Sequence, residues 1–183
     1  MMLPTADLAN RHSSAAALRG LVETCDSRDE VFFAGARRAV SALLGDADLL
    51  AGMAPADPLK VSRTLAWCDP SNRFGIWVLW WPPGSATPIH NHHCSCAFGV
   101  YRGRIEEVLY RIDDDRDGRV TASERYLRVP GYVGGGALES KVIHRMRNPD
   151  GELAASVHLY AYHPHQHANS IAQSFLGPAD LAY

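Results

Sequence analysis

The chain is poor in the features that would tie it to a membrane, a nucleic acid or an oxidising compartment. It has only four cysteines in 183 residues, Cys25, Cys68, Cys94 and Cys96. They are too few and too irregularly spaced for a disulfide framework or a zinc finger. Positive charge is not in excess: the formal net charge is -2, which leaves no basic footprint for nucleic acid. No uninterrupted apolar run reaches the length that crosses a bilayer. The opening Met1-Met2-Leu3-Pro4-Thr5-Ala6-Asp7 lacks the basic and apolar regions of a signal peptide. These absences predict a cytoplasmic protein without nucleic-acid or membrane partners.

What is present is ordinary globular material. Hydrophobic residues make up 46% and charged residues 21%, and the length suits one domain with a substantial core. No internal repeat breaks residues 1–183 into parts. Residues 1–53 read as a helical N-terminal portion. Leu8, Ala15, Leu18, Leu21 and Val22 form one apolar stripe. Ser27-Arg28-Asp29-Glu30 has capping-box spacing, followed by Val31, Phe32, Val40, Leu43 and Leu44, with Gly45 as a stop. A Pro/Ala/Asp connection follows at 54–58.

From residue 60 to 183 the period changes to that of strands. Expected strands are 60–68, 74–81, 97–100, 104–112, 125–129, 141–146 and 155–162, with a glycine-rich bend at 131–136. The aromatic, β-branched Ile76-Trp77-Val78-Leu79-Trp80-Trp81 suits a strand buried in a barrel. Many short strands without βαβ alternation predict a mostly β protein, an antiparallel sandwich or barrel.

The chemistry concentrates in Pro88-Ile89-His90-Asn91-His92-His93-Cys94-Ser95-Cys96. In an extended strand alternate side chains share a face, so His90 and His92 present two imidazoles side by side. Pro88 disfavours helix just before them. His144 offers a third imidazole from a distant strand.

Gly84, five residues, His90-Asn91-His92, three residues, Cys96, six residues, Gly103 resembles the first motif of the cupins, with cysteine where most carry glutamate. His144 and Asn148 resemble the end of the second motif. More narrowly, the region from Lys60 to Tyr162 is similar to the cysteine dioxygenase family of thiol dioxygenases. That resemblance is carried by Ser62-Arg63-Thr64, Ile89-His90-Asn91-His92, His144-Arg145-Met146-Arg147-Asn148 and Ser156-Val157-His158-Leu159-Tyr160.

The resemblance implies a cupin-type β-barrel (jelly roll) with N-terminal α-helices, holding Fe(2+) on His90, His92 and His144. It implies that Arg63 binds the substrate carboxylate, and that Ser156, His158 and Tyr160 form a hydrogen-bonded catalytic triad. Cys96 matches a cysteine that some members join to that tyrosine by a thioether; Cys94 competes for the role, and a small buried hydrophobe is the plain alternative for Cys96. The implied reaction converts L-cysteine and O2 to cysteine sulfinic acid in a monomer or weak homo-oligomer. Alternatives are the same chemistry on another small thiol acid such as 3-mercaptopropionate, a non-thiol metal-dependent cupin enzyme, or a non-catalytic binding cupin.

Residue chemistry agrees. No Asp or Glu lies between Gly84 and Gly103, so a dipositive ion on three neutral imidazoles would keep its full charge and favour an anionic thiolate. Arg63 is a permanently charged planar fork suited to a carboxylate. Two other stretches compete for attention. Asp113 to Glu124 fits an EF-hand loop pattern, but its flanks read as strands, so a solvated hairpin loop is expected and calcium is the alternative. His163-Pro164-His165-Gln166-His167 reads as a surface tail able to take up stray metal.

Overall fold

The computed structural model describes Gly20 and residues 30–114, 119–162, 164 and 169–177. The first apolar stripe, the capping box apart from Glu30, Cys25 and the three histidines of the 163–167 patch lie outside the described residues. Helix α1 spans Glu30–Leu44 and ends where Gly45 was expected to stop it. Ten strands follow: β1 Ser62–Cys68, β2 Gly75–Trp81, β3 Ile89–His92, β4 Cys96–Arg102, β5 Ile105–Asp114, β6 Arg119–Arg128, β7 Val133–Gly136, β8 Ile143–Arg147, β9 Ala154–Tyr160 and β10 Ile171–Phe175.

They form two five-stranded antiparallel sheets of order β1-β2-β9-β4-β7 and β10-β3-β8-β5-β6, the jelly-roll architecture of a cupin. One sheet is buried on both faces, which explains the unbroken apolar run in β2. Ile76, Val78 and Trp80 face α1, together with Ala155, Val157 and Leu159 of β9 and Phe32, Val40 and Leu43 of the helix. Their alternates Trp77, Leu79, Trp81 and Tyr160 point into the barrel. The strand period therefore sends Ser156, His158 and Tyr160 to one interior face. Full burial of a Phe or Leu side chain under α1 contributes about 1.5–3 kcal/mol.

Three segments differ from their sequence-based expectations. The last four residues of the glycine-rich bend form a strand, β7, paired with β4. Gly135, at φ 127°, lies so close to β4 that a Cβ there would land on the Cys96 carbonyl. Glycine is poor at forming strands in general, yet here its missing side chain permits the approach. Strand β6 begins at Arg119, so Thr121 and Glu124 of the supposed calcium loop are paired with Arg111 and Leu109 of β5. Among the described residues both flanks of that loop are strands, as expected, rather than the helices of an EF-hand. Finally, β10 at Ile171–Phe175 was not among the expected strands: it adds to the edge of β3, with Ser174 opposite His90.

Candidate metal centre

His90 and His92 lie on β3 and His144 on the neighbouring β8, where the register sets His90 directly opposite His144. Strand alternation then turns all three rings to one side. Ring centroids are 4.8 Å apart for His90–His92 and His90–His144, and 5.1 Å for His92–His144. One nitrogen from each lies within 4.8 Å of the others, the one such group of potential metal ligands among the described residues.

The outward nitrogens settle the tautomers. His90 Nδ1 donates to the Pro88 carbonyl at 2.9 Å. His92 Nδ1 faces the Ser170 carbonyl at 3.3 Å and its hydroxyl at 3.1 Å. His144 Nδ1 donates to Glu107 Oε1 at 2.9 Å. With the proton on Nδ1, each Nε2 keeps a lone pair for the interior. The Nε2 atoms of His92 and His144 are 3.0 Å apart, so both can face one ion.

Burial reinforces neutrality. It is the largest cause lowering His90 to about 3, and it holds His92 well below 6.5 with help from its histidine neighbours. Three neutral nitrogen donors suit a divalent transition ion. Among the described residues no carboxylate joins them. Burial alone would raise Glu107, but hydrogen bonds from His144 and Arg128 and the Arg128 charge outweigh it and keep it ionised. Its second oxygen takes Arg128 Nε at 2.9 Å, so this negative charge is matched by a positive one outside the ligand set.

The second group lines up behind the first. Trp81 Nε1 donates to Ser156 Oγ at 2.8 Å, Ser156 Oγ lies 2.8 Å from His158 Nε2, and His158 Nδ1 lies 3.0 Å from the Tyr160 hydroxyl. The Tyr160 ring is 5.8 Å from that of His92. Its hydroxyl also meets the Ser170 side chain and the Cys96 thiol. Cys96 is the cross-strand neighbour of Tyr160. Burial raises both the Cys96 thiol and the Tyr160 phenol well above their ordinary values, so both are protonated. Burial also pushes Cys94 up to about 12.

Arg63 stands opposite Leu79, an interior residue of β2, and so projects into the barrel. It lies over the Trp77 ring at 4.5 Å and donates to the Tyr162 hydroxyl at 3.0 Å. A cavity of about 20 Å³ lies between the three histidines, Leu79, His158 and Tyr160, room for one water-sized occupant. Arg63 does not line it. A larger cavity of about 130 Å³ touches His92, His144, Cys96 and Glu107 from the other side.

Sequence reasoning missed Glu107, Ser170 and Trp81 as parts of the site. Glu107 sits in Glu106-Glu107, which looks like surface charge, yet both are buried and paired with arginines. Ser170 follows a histidine-rich stretch that carried no strand signal. Trp81 was visible only as core.

Among the described residues no helix is long and apolar enough to cross a membrane. Comparison with known proteins points the same way as the site. Human cysteine dioxygenase type 1 is 32% identical over 111 residues, covering 57% of this chain and 52% of that protein. The mouse enzyme is 31% identical over the same length and shares. The chain thus spans about half the length of the curated relatives it matches. A solved cupin 2 conserved barrel domain protein from Salinispora arenicola has a TM-score of 0.41 at 19% identity, covering 55% of this chain and 74% of that one. The family model for cysteine dioxygenase type I matches residues 14–174, nearly the whole sequence, and the chain belongs to that family.

Proposed function

We propose that the chain is a non-haem Fe(II) thiol dioxygenase that converts L-cysteine and O2 to cysteine sulfinic acid. The observation that carries this reading is the convergence of three Nε2 lone pairs, each ring locked by an acceptor on Nδ1, without a carboxylate among them. His90, His92 and His144 would hold the iron. Bound there, iron would supply open coordination positions at which a thiolate and dioxygen can meet.

The protein's own groups do the rest. Three neutral ligands leave the ion's charge undiminished, which favours a substrate that binds as an anion. Arg63 is the carboxylate anchor, its guanidinium held ready over Trp77 by the Tyr162 hydroxyl. Tyr160 presents a protonated hydroxyl beside the ligands and orients the substrate, with His158 and Ser156 fixing its position. The apolar walls formed by Leu79, Phe98 and Met146 limit water around the sulfur. The Cys96–Tyr160 contact favours Cys96 over Cys94 as the partner in a thioether to the tyrosine ring. Forming that bond removes two hydrogens, with dioxygen as oxidant.

A second reading, the same oxidation of 3-mercaptopropionate, is favoured by one observation: that thiol acid lacks only the amine of cysteine, and the small cavity is lined by no carboxylate to mark an ammonium group. An oxygen electrode with a thiol panel, on protein whose iron is measured in the same sample, decides between them. The expected result is stoichiometric iron, fastest oxygen uptake with L-cysteine, and loss of both in His144→Ala. Faster turnover of 3-mercaptopropionate would transfer the function to the second reading, and no uptake with any thiol would remove both. Intact mass two hydrogens below the sequence value, restored in Cys96→Ser, would report the thioether.

A further inference from the structure

We infer that Trp81 is a positioning residue that fixes the direction of the hydrogen-bond chain ending at Tyr160, so that His158 donates to the tyrosine and the tyrosine proton points toward the substrate side. This deepens the proposed thiol oxidation and rests on it for its meaning, although not for its test.

The argument is one of donors and acceptors. An indole N–H can only donate, and Trp81 Nε1 is 2.8 Å from Ser156 Oγ. Ser156 is therefore an acceptor in that contact, and its own hydrogen must go elsewhere. The residue is completely buried, and the other partner within reach of its hydroxyl is His158 Nε2 at 2.8 Å. If Ser156 donates there, Nε2 is an acceptor, and a neutral imidazole then carries its hydrogen on Nδ1. That hydrogen goes to the Tyr160 oxygen at 3.0 Å.

The opposite arrangement would have His158 Nε2–H donate to Ser156. The serine oxygen would then accept twice, and its hydrogen would be stranded in a dry interior, which is costly. Burial also keeps His158 uncharged, so it cannot donate from both nitrogens.

Two consequences follow for the chemistry. His158 cannot serve as the base that removes the Tyr160 proton, because the nitrogen facing the tyrosine already holds one. The Tyr160 hydrogen is left, when substrate is present, for an oxygen or sulfur beside the ligands. Tyr160 thus acts as a hydrogen-bond donor to the reacting groups, and the indole three contacts upstream in the chain is what assigns it that role.

The test is the ring tautomer of His158, read by long-range 1H–15N correlation in the full chain labelled at histidine nitrogen and loaded with diamagnetic zinc. His158→Gln identifies the resonance. The expected wild-type spectrum shows a single Nδ1–H tautomer. In Trp81→Phe, which keeps an aromatic ring and loses the donor, the resonances should move toward the Nε2–H form. With iron, that variant should show a several-fold loss of kcat with KM for the thiol little changed. A wild-type Nε2–H tautomer overturns the inference without any need of the variant. A folded Trp81→Phe that keeps the Nδ1–H form removes Trp81 from the role. Neither tautomer measurement requires turnover, so a failure there is distinct from a failure of the proposed activity.

Discussion

Replacing Glu107 by glutamine should weaken metal binding as well as the fold. One Glu107 oxygen takes His144 Nδ1–H at 2.9 Å, and the other takes Arg128 Nε and Nη2 at 2.9 and 2.8 Å. Both oxygens thus face donors. Glutamine keeps one acceptor and brings an NH2 group, so one of the two contacts must become donor against donor. If Arg128 keeps the oxygen, His144 loses its acceptor and is free to turn or to move its hydrogen to Nε2, which blocks the ligand lone pair. Loss of a carboxylate behind a ligating histidine typically costs about 10–100-fold in metal affinity, or about 1.4–2.7 kcal/mol at 1.36 kcal/mol per tenfold change. Breaking a buried ion pair can cost about 3–5 kcal/mol of stability, but the Arg128 side chain is 17% exposed and rests on the Tyr126 and Tyr132 rings. The lower end applies. The assay is competition between the protein and a chelator for Zn(II) or Fe(II) at pH 7, with urea melts of the metal-free protein to separate the two effects. A metal affinity within twofold of wild type would refute the reasoning that Glu107 orients His144.

Arg63→Gln should raise KM for L-cysteine about tenfold or more with a smaller change in kcat, since a charged hydrogen bond to the carboxylate is lost; equal kinetics would remove Arg63 from the substrate. Metal-free protein should lose stability as the pH falls from 6.5 toward about 3. Burial lowers His90 and His158 to about 3, so the unfolded chain takes up protons in that window that the folded chain refuses. A flat profile of urea midpoints between pH 7 and 4 would contradict this. Gly135→Ala places a Cβ on the Cys96 carbonyl at φ 127° and should cost about 2 kcal/mol or more; an unchanged melting temperature would show that β7 can retreat from β4.

Parts of this molecule were plain in its residues, and the rest was hidden for definite reasons. His90 and His92 were legible because alternation on a short strand after a proline leaves little choice of face. The β2 run was legible as buried, but only the structure explains why no polar residue interrupts it: α1 covers one face and the barrel interior is the other. Strand β7 could not be read from Val133-Gly134-Gly135-Gly136, because propensity argues against glycine while close packing against Cys96 demands it. Strand β10, with Ile171-Ala172-Gln173-Ser174-Phe175, has mostly exposed residues at a sheet edge and offers little pattern. Glu107 was concealed by being one of two adjacent acids in a strand whose arginine partners lie on β6 and β8. Spacing within one segment carries ligands well; the groups that aim those ligands come from elsewhere and leave no local signature.

The supports of the three rings have different origins in the chain, and this bears on when the centre can come into being. His90 leans on Pro88 two positions away, whereas His92 meets His144 across 52 positions and Ser170 across 78. A growing polypeptide has the first chelating pair early, yet the clasp closes only after Ser170 has emerged and the edge strand has docked. Capture of the ion is therefore a late event, and the ion would work as a keystone, stabilising the finished arch far more than any half-built stage.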